Sequence, residues 1–138
     1  MKFLGIDLGT KRIGVALSDG LLITAQGQES ILTKSPAEDI AAINRIVEEN
    51  GVTEIVVGLP ISMNGTHSVK TKETLEFVER LSKAASVPVK TWDERLTSRQ
   101  AERTLLEADV SRHKRKQLSD KLAAQLILQS YLDCRKKG

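Results

Sequence analysis

Three acidic positions in this sequence lie where an ionised carboxylate costs free energy unless another group compensates its charge. Asp7 ends an apolar segment (residues 2–6) that is predicted to be the first strand, and an ionised carboxylate in the middle of a sheet needs a cation or hydrogen-bond donors. Asp93 and Glu94 follow directly after another predicted strand, at the kind of edge where open α/β sheets hold their sites. Ordinary alternatives exist, because Asp7 could cap the turn that follows it and the later acids could form a loop ion pair with Arg95.

Asp120 is the third position, in the last predicted helix. It lies on the helix face of Ala124, Ile127 and Tyr131, opposite a stripe of polar residues. A helix that packs this face against a sheet brings Asp120 to the rim of the sheet. The alternative is a helix that starts at Ser119, in which Asp120 is only a first-turn partner of the helix dipole.

Convergence of these acids would create a site for divalent cations. Clustered carboxylates repel one another unless a cation lies between them, and their hard oxygens suit Mg²⁺ or Mn²⁺. Two such ions can activate water and stabilise the leaving oxygen of a phosphodiester. The pattern therefore predicts metal-dependent phosphoryl transfer.

Basic residues are concentrated near the end of the chain. Residues 111–138 contain eight Lys or Arg and two Asp, whereas the first 110 residues contain 13 basic and 16 acidic side chains. Such a patch is expected to face a polyanion, although a solvated helix surface is the common alternative. The candidates for phosphate contacts are Lys11, Arg12, Arg95, Lys114, Arg115 and Lys116.

Composition narrows the class of protein. Hydrophobic residues make up 40% and charged residues 28% of the 138 residues, which is typical of a globular domain and argues against disorder or membrane insertion. Cys134 is the single cysteine, so an internal disulfide is excluded and a reducing, cytoplasmic location is expected. We predict one domain over residues 1–138, with no signal peptide and no membrane contact.

Hydrophobic patterning predicts an α/β fold that would position the acids. Three strands joined by tight turns form an antiparallel meander, and helices then alternate with apolar strands, which indicates a five-stranded mixed sheet flanked by helices. The predicted strands cover residues 2–6, 12–18, a part of 21–31, 54–59 and 87–92. The predicted helices cover residues 36–50, 69–85, about 97–108 and about 111–134.

Four blocks of residues resemble the YqgF/RuvX family. They are GIDLGTKRIGVA (5–16), VGLP (57–60) with MNGT (63–66), WDERLT (92–97), and Asp120 with Ala123-Ala124. They occur in order and span nearly the whole chain. That family is similar to RuvC-type Holliday-junction resolvases and has the ribonuclease H-like fold.

The resemblance implies a nuclease that trims the 5′ end of the 16S ribosomal RNA precursor, with activity on branched DNA as a related expectation. It implies bound Mg²⁺ or Mn²⁺ at Asp7, Glu94 and Asp120, with Asp93 as the close alternative to Glu94. The expected partners are nucleic acid and pre-ribosomal particles, and the choice between monomer and homodimer stays open. Resolvases hold an acid at the end of the fourth strand, whereas this chain has Gly58-Leu59-Pro60 there, so the second acid must come from Asp93-Glu94.

Two other functions compete with the nuclease. The missing fourth-strand acid would also suit a non-catalytic nucleic-acid-binding module for ribosome assembly. The segment Asp7–Thr10 also resembles the first phosphate loop of ATP-binding proteins of the actin, hexokinase and Hsp70 type. Those proteins hold the nucleotide between two domains, and 138 residues supply one.

Overall fold

The computed structural model describes residues 1–62, 64–96 and 112–137, with described side chains in the last helix at 122–135. The predicted helix at about 97–108 lies outside the described residues. A 3₁₀ turn (Glu94–Leu96) follows the last strand. The strands are β1 (Phe3–Leu8), β2 (Arg12–Ser18), β3 (Ala25–Leu32), β4 (Glu54–Leu59) and β5 (Val89–Asp93), and the helices are α1 (Pro36–Asn50), α2 (Val69–Ala84) and α3 (Arg112–Lys137).

The strands form one five-stranded mixed sheet in the order β3-β2-β1-β4-β5. β1 is antiparallel to β2 and parallel to β4, and β4 is parallel to β5. The predicted meander and parallel strands are therefore confirmed. Since β1, β4 and β5 run in the same direction, they end at one side of the sheet, which we call the carboxyl edge (Leu8, Leu59 and Asp93).

Alternation along the strands divides the core into two layers. Leu4 and Ile6 of β1 belong to the larger apolar cluster, which contains Ile43 and Val47 of α1 and Leu81 of α2. A second cluster joins the opposite face of the sheet to α3. It contains Phe3, Ala16, Ala25, Val56, Ala124, Ile127, Leu128 and Leu132.

The first two helices begin at the predicted residues, Pro36 and Val69, and each is preceded by a serine cap. The Ser35 hydroxyl accepts a hydrogen bond from the Glu38 N–H at 3.2 Å, Pro36 occupies the first turn, and Gly51 ends α1 in a left-handed conformation with φ of 64°. Ser68 caps α2 by accepting from the Thr71 N–H. Both caps lie near the carboxyl edge, because helices that connect to the next parallel strand start where the previous strands end.

Helix α3 lies close against the centre of the sheet. A Cβ on Gly5 would lie 2.7 Å from Leu128 Cβ and 3.2 Å from the Ala124 carbonyl oxygen, so only glycine allows this approach. Towards the other end of β1, the Phe3 ring packs against Tyr131, with 6.0 Å between the centroids. The earlier turns of α3 therefore extend towards the carboxyl edge. None of the described helices is long and apolar enough to span a bilayer.

Candidate active site

Asp7 lies inside β1, on the sheet face that α3 covers. The strand continues to Leu8 rather than ending before Asp7, because Leu8 still pairs with Ile13 of β2. The turn after the strand is closed by a backbone bond, from the Gly9 N–H to the Arg12 carbonyl at 2.9 Å. Asp7 shares its face with Phe3 and Gly5, since side chains alternate along a strand. Its carboxylate is half-buried at the carboxyl edge.

Glu94 reaches from the end of β5 across the neighbouring strand. A Cβ on Gly58 would lie 2.9 Å from Glu94 Oε1 and would overlap the Ile127 side chain. The Glu94 carboxylate therefore occupies the space that a side chain at position 58 would take. Asp7 and Gly58 each lie one residue beyond the parallel pair Ile6–Val57, so Glu94 is brought next to Asp7.

The side chains of Asp7 and Glu94 form a hydrogen bond, and we call them the acid pair. Burial raises the pKa of Glu94 from its ordinary value of 4.5 to about 7, and the charge of Asp7 and the bond to Asp7 add to this rise. Two carboxyl groups can form such a bond only when one carries a proton. Below about pH 7, the Glu94 carboxyl carries this proton and donates to the Asp7 carboxylate.

Asp93 takes part in a different interaction. The Arg95 Nη2 donates to Asp93 Oδ2 at 2.7 Å, the Arg95 Nε donates to the same carboxylate at 3.0 Å, and the Arg95 backbone N–H donates to Oδ1 at 2.9 Å. The side-chain bond from Arg95 lowers the pKa of Asp93. The structure thus shows the loop ion pair that the sequence offered as an alternative, and it brings Glu94 rather than Asp93 to Asp7.

Asp120 lies within α3, one turn before Ala124. The helix runs without a break from Arg112, so Asp120 is not a first-turn residue. The Ala124 carbonyl lies over Gly5, two residues before Asp7, so the backbone of Asp120 lies on the side of Ala124 that extends towards the carboxyl edge. The side chain of Asp120 is outside the described residues, and its metal role stays a prediction. Within the described side chains, no group of three His, Cys, Asp or Glu could hold a metal ion.

The predicted phosphate-binding residues divide into three sets. Lys11 lies in the turn after β1 and Arg12 begins β2, and both are exposed at the carboxyl edge. Arg95 is held by Asp93 beside the acid pair. The remaining side chains, which belong to the first turns of α3, are outside the described residues: Lys114, Arg115 and Lys116.

Sequence reasoning missed Lys70, which lies in the first turn of α2. Its positive charge lowers the pKa of Glu94 and so opposes the effect of burial. Lys70 also lines a cavity of about 370 Å³ with Gly9 and Thr10, which follow β1. Its position could have been predicted, because a helix that follows a parallel strand starts at the carboxyl edge. Its side-chain type gave no signal, since a lysine on an exposed helix is ordinary.

The chain is similar to known proteins over nearly its whole length. The model of the RuvX family, described as "Holliday junction resolvase", matches residues 1–134. A protein from Halothermothrix orenii named "Putative pre-16S rRNA nuclease" is 49% identical over 137 residues, which cover 99% of this chain and 98% of that protein. A protein of the same name from Clostridium acetobutylicum is 51% identical over 133 residues, which cover 96% of this chain and 98% of that protein.

A solved structure supports the fold independently. RuvC of T. thermophilus, in complex with a Holliday junction substrate, superposes with a TM-score of 0.62. The two chains are 18% identical, and the match covers 98% of this chain and 96% of the RuvC chain, so the similarity shows the shared ribonuclease H-like fold. Taken with the family match over almost its whole length, these similarities show that the chain belongs to the RuvX family.

Proposed function

We propose that this protein is a metal-dependent nuclease that hydrolyses phosphodiester bonds in 5′-end processing of the 16S ribosomal RNA precursor. The acid pair is the observation that carries the proposal, because two acids from distant parts of the sequence meet in a half-buried hydrogen bond. The name of the two relatives supports an RNA substrate, and the junction bound to RuvC supports branched DNA as a second substrate class.

The acid pair fits a divalent metal ion by its chemistry. It offers hard carboxylate oxygens from Asp7 and Glu94, in a place where burial and mutual repulsion keep one of them protonated. Mg²⁺ and Mn²⁺ prefer such oxygens, and a cation relieves the repulsion. When bound, such ions lower the pKa of an attacking water and stabilise the departing oxygen of the phosphodiester. We propose Asp120 as the third ligand.

The protein itself fixes the two acids and controls their proton. Asp7 is held by a central strand, and the Glu94 carboxylate lies above the backbone of Gly58, where the Ile127 side chain of α3 also lies. The proton on Glu94 must leave before both acids can bind a cation, so metal affinity rises as the pH passes about 7. Lys11 and Arg12 contact the phosphate backbone without reading bases, which predicts weak sequence specificity.

The test is cleavage of a 5′-extended 16S precursor RNA and of a four-way DNA junction with Mn²⁺. Asp7→Asn and Glu94→Gln are expected to lose cleavage while remaining folded. Asp93→Asn is expected to retain most of it, because the asparagine Oδ1 can still accept from the Arg95 backbone N–H that closes the turn. Unchanged Mn²⁺-stimulated cleavage by Asp7→Asn would reject this active site. Salt-sensitive RNA binding without any divalent-dependent cleavage would instead favour the non-catalytic ribosome-assembly module.

The remaining parts of the proposal concern location and organisation. Cys134 is free and exposed, which suits a reducing compartment such as the cytoplasm. We propose that residues 1–138 form one domain that works on naked precursor RNA or on pre-ribosomal particles. Cleavage assays on purified particles and on free RNA would distinguish these two substrates.

A further inference from the structure

The turn that contains Ser62 and residues 64–66 borders Arg95, the residue after Glu94. It follows β4 directly, only a few residues after Gly58, and it leads into α2. The Thr71 hydroxyl donates to the Pro60 carbonyl and so fastens the start of this segment to the first turn of α2. The segment is therefore held at the carboxyl edge, where the proposed substrate would lie.

Hydrogen bonds inside the turn fix the orientation of the Asn64 side chain. Its Oδ1 accepts from the Thr66 N–H at 3.1 Å and the Thr66 hydroxyl at 2.7 Å, and the Ser62 hydroxyl lies 2.6 Å from it. The acceptor end of the amide is thus fully used. Its Nδ2 points the other way with two N–H groups, and no described residue accepts a hydrogen bond from it.

Arg95 borders the same turn with a similar set of donors. Its Nε and Nη2 are bound to Asp93, which holds the guanidinium in place. Its Nη1 lies 3.6 Å from the position that a Cβ on Gly65 would take, and no described residue accepts a hydrogen bond from Nη1. Gly65 has a φ of 85°, and because it has no side chain, the Nη1 end of the guanidinium has room beside the turn.

We propose that Asn64 and Arg95 together contact a backbone phosphate of the nucleic acid beside the acid pair. This inference rests on the proposed function and adds Asn64 to the residues that bind the substrate. The two side chains offer only N–H donors and one permanent positive charge, which suits a ligand that has only acceptors and a negative charge. A phosphodiester has both properties, and charge-assisted bonds to it are strong.

The sharpest test is Asn64→Asp. Aspartate keeps the oxygen that accepts from Thr66 and Ser62, but it replaces the two donors of Nδ2 with a charged acceptor. We expect the Kd for a short fluorescent single-stranded RNA, measured with a chelator present, to rise about tenfold, as for loss of one hydrogen bond to a charged group. The melting temperature should change little. The matched control is Gln26→Glu, the same change on an exposed residue of β3.

Arg95→Gln provides a second and independent measurement. It removes the charge, so the slope of log K against log salt should fall by about 0.7 for a single strand. Both variants should weaken binding equally for RNAs of different base sequence. An Asn64→Asp protein that binds like the wild type, or a loss limited to one base sequence, would overturn the inference.

The outcomes separate this inference from the proposed function. Because binding is measured without metal, a wild-type protein that binds RNA but cleaves nothing would refute the nuclease and leave the phosphate contact standing. Cleavage and binding that are both unaffected in Asn64→Asp would refute the contact alone. Failure of the wild type to bind nucleic acid at low salt would refute both.

Discussion

Replacing Asp7 by Asn should stabilise the metal-free protein at alkaline pH. Because the pKa of Glu94 is raised from 4.5 to about 7 in the folded state, the folded protein holds a proton that the unfolded chain releases at lower pH. Stability is therefore lost as the pH rises from about 4.5 to about 7. The introduced asparagine would carry no charge and would donate its amide N–H to Glu94, so part of that loss would disappear.

The expected magnitude follows from the size of the pKa change. The full rise corresponds to roughly 3 kcal/mol at about 1.4 kcal/mol for each pKa unit. Glu94 is only half-buried, and solvent screening reduces this to about 1–2 kcal/mol. Burial is the first cause and stays in the variant, so we assign about 1 kcal/mol to Asp7, the part that Asp7→Asn removes.

Urea unfolding in the presence of a chelator measures this effect. We compare the free energy of unfolding of Asp7→Asn with that of the wild type at each pH. The difference should shift by about 1 kcal/mol in favour of the variant as the pH rises from 5 to 8. Asp93→Asn is the matched control and should show a clearly smaller gain, because the charge of Asp93 is the smallest of the causes that raise the pKa of Glu94 and Arg95 lowers the pKa of Asp93 itself. A difference that is independent of pH, or that falls towards pH 8, would refute the coupling of Asp7 to Glu94.

Three further predictions concern the same site. Lys70→Gln should raise the pKa of Glu94 further, because it removes a positive charge that stabilises the Glu94 carboxylate. An NMR titration of the metal-free protein measures this pKa, and a lower value in the variant would contradict the prediction. Gly58→Ala should abolish cleavage and lower the free energy of unfolding by about 1–3 kcal/mol, because its Cβ would displace Glu94 and Ile127. A cleavage assay and calorimetry measure these two effects, and intact cleavage would contradict the prediction. Mn²⁺ should raise the melting temperature of the wild type but not of Asp7→Asn, and equal shifts would place the ion elsewhere.

Much of the fold could be predicted because local signals and global topology agree. The cap at Ser35, the proline after it and the glycine at position 51 define both ends of α1, and the apolar strands followed the predicted order. The end of β1 was placed too early. The carboxylate of Asp7 suggested a strand end, but pairing of Leu8 with β2 extends the strand, and this depends on a neighbour that sequence patterning does not reveal.

The identity of the second acid could not be predicted in the same way. Two adjacent carboxylates point to different sides, and their assignment depends on where alternation along β5 gives way to the 3₁₀ turn. Trp92 packs on the α3 side, and Glu94, two residues later, is on that side as well. The third acid, Asp120, stays a prediction from helical spacing, as do the roles of the basic residues in the first turns of α3.

The segment Asp93-Glu94-Arg95 supplies the candidate site with an acid that the carboxyl end of β4 lacks. Asp93 accepts the Arg95 backbone N–H and its guanidinium, which closes the turn immediately after β5. That turn directs Glu94 inward, over a position where only glycine leaves room for its carboxylate. An acid that follows the edge strand therefore takes the space above the inner strand, and the turn that Asp93 closes through the Arg95 backbone N–H sets the orientation of this acid. Gly58 and Glu94 depend on each other, since a side chain at 58 would displace Glu94, so restoring an acid at position 58 requires a smaller residue at 94.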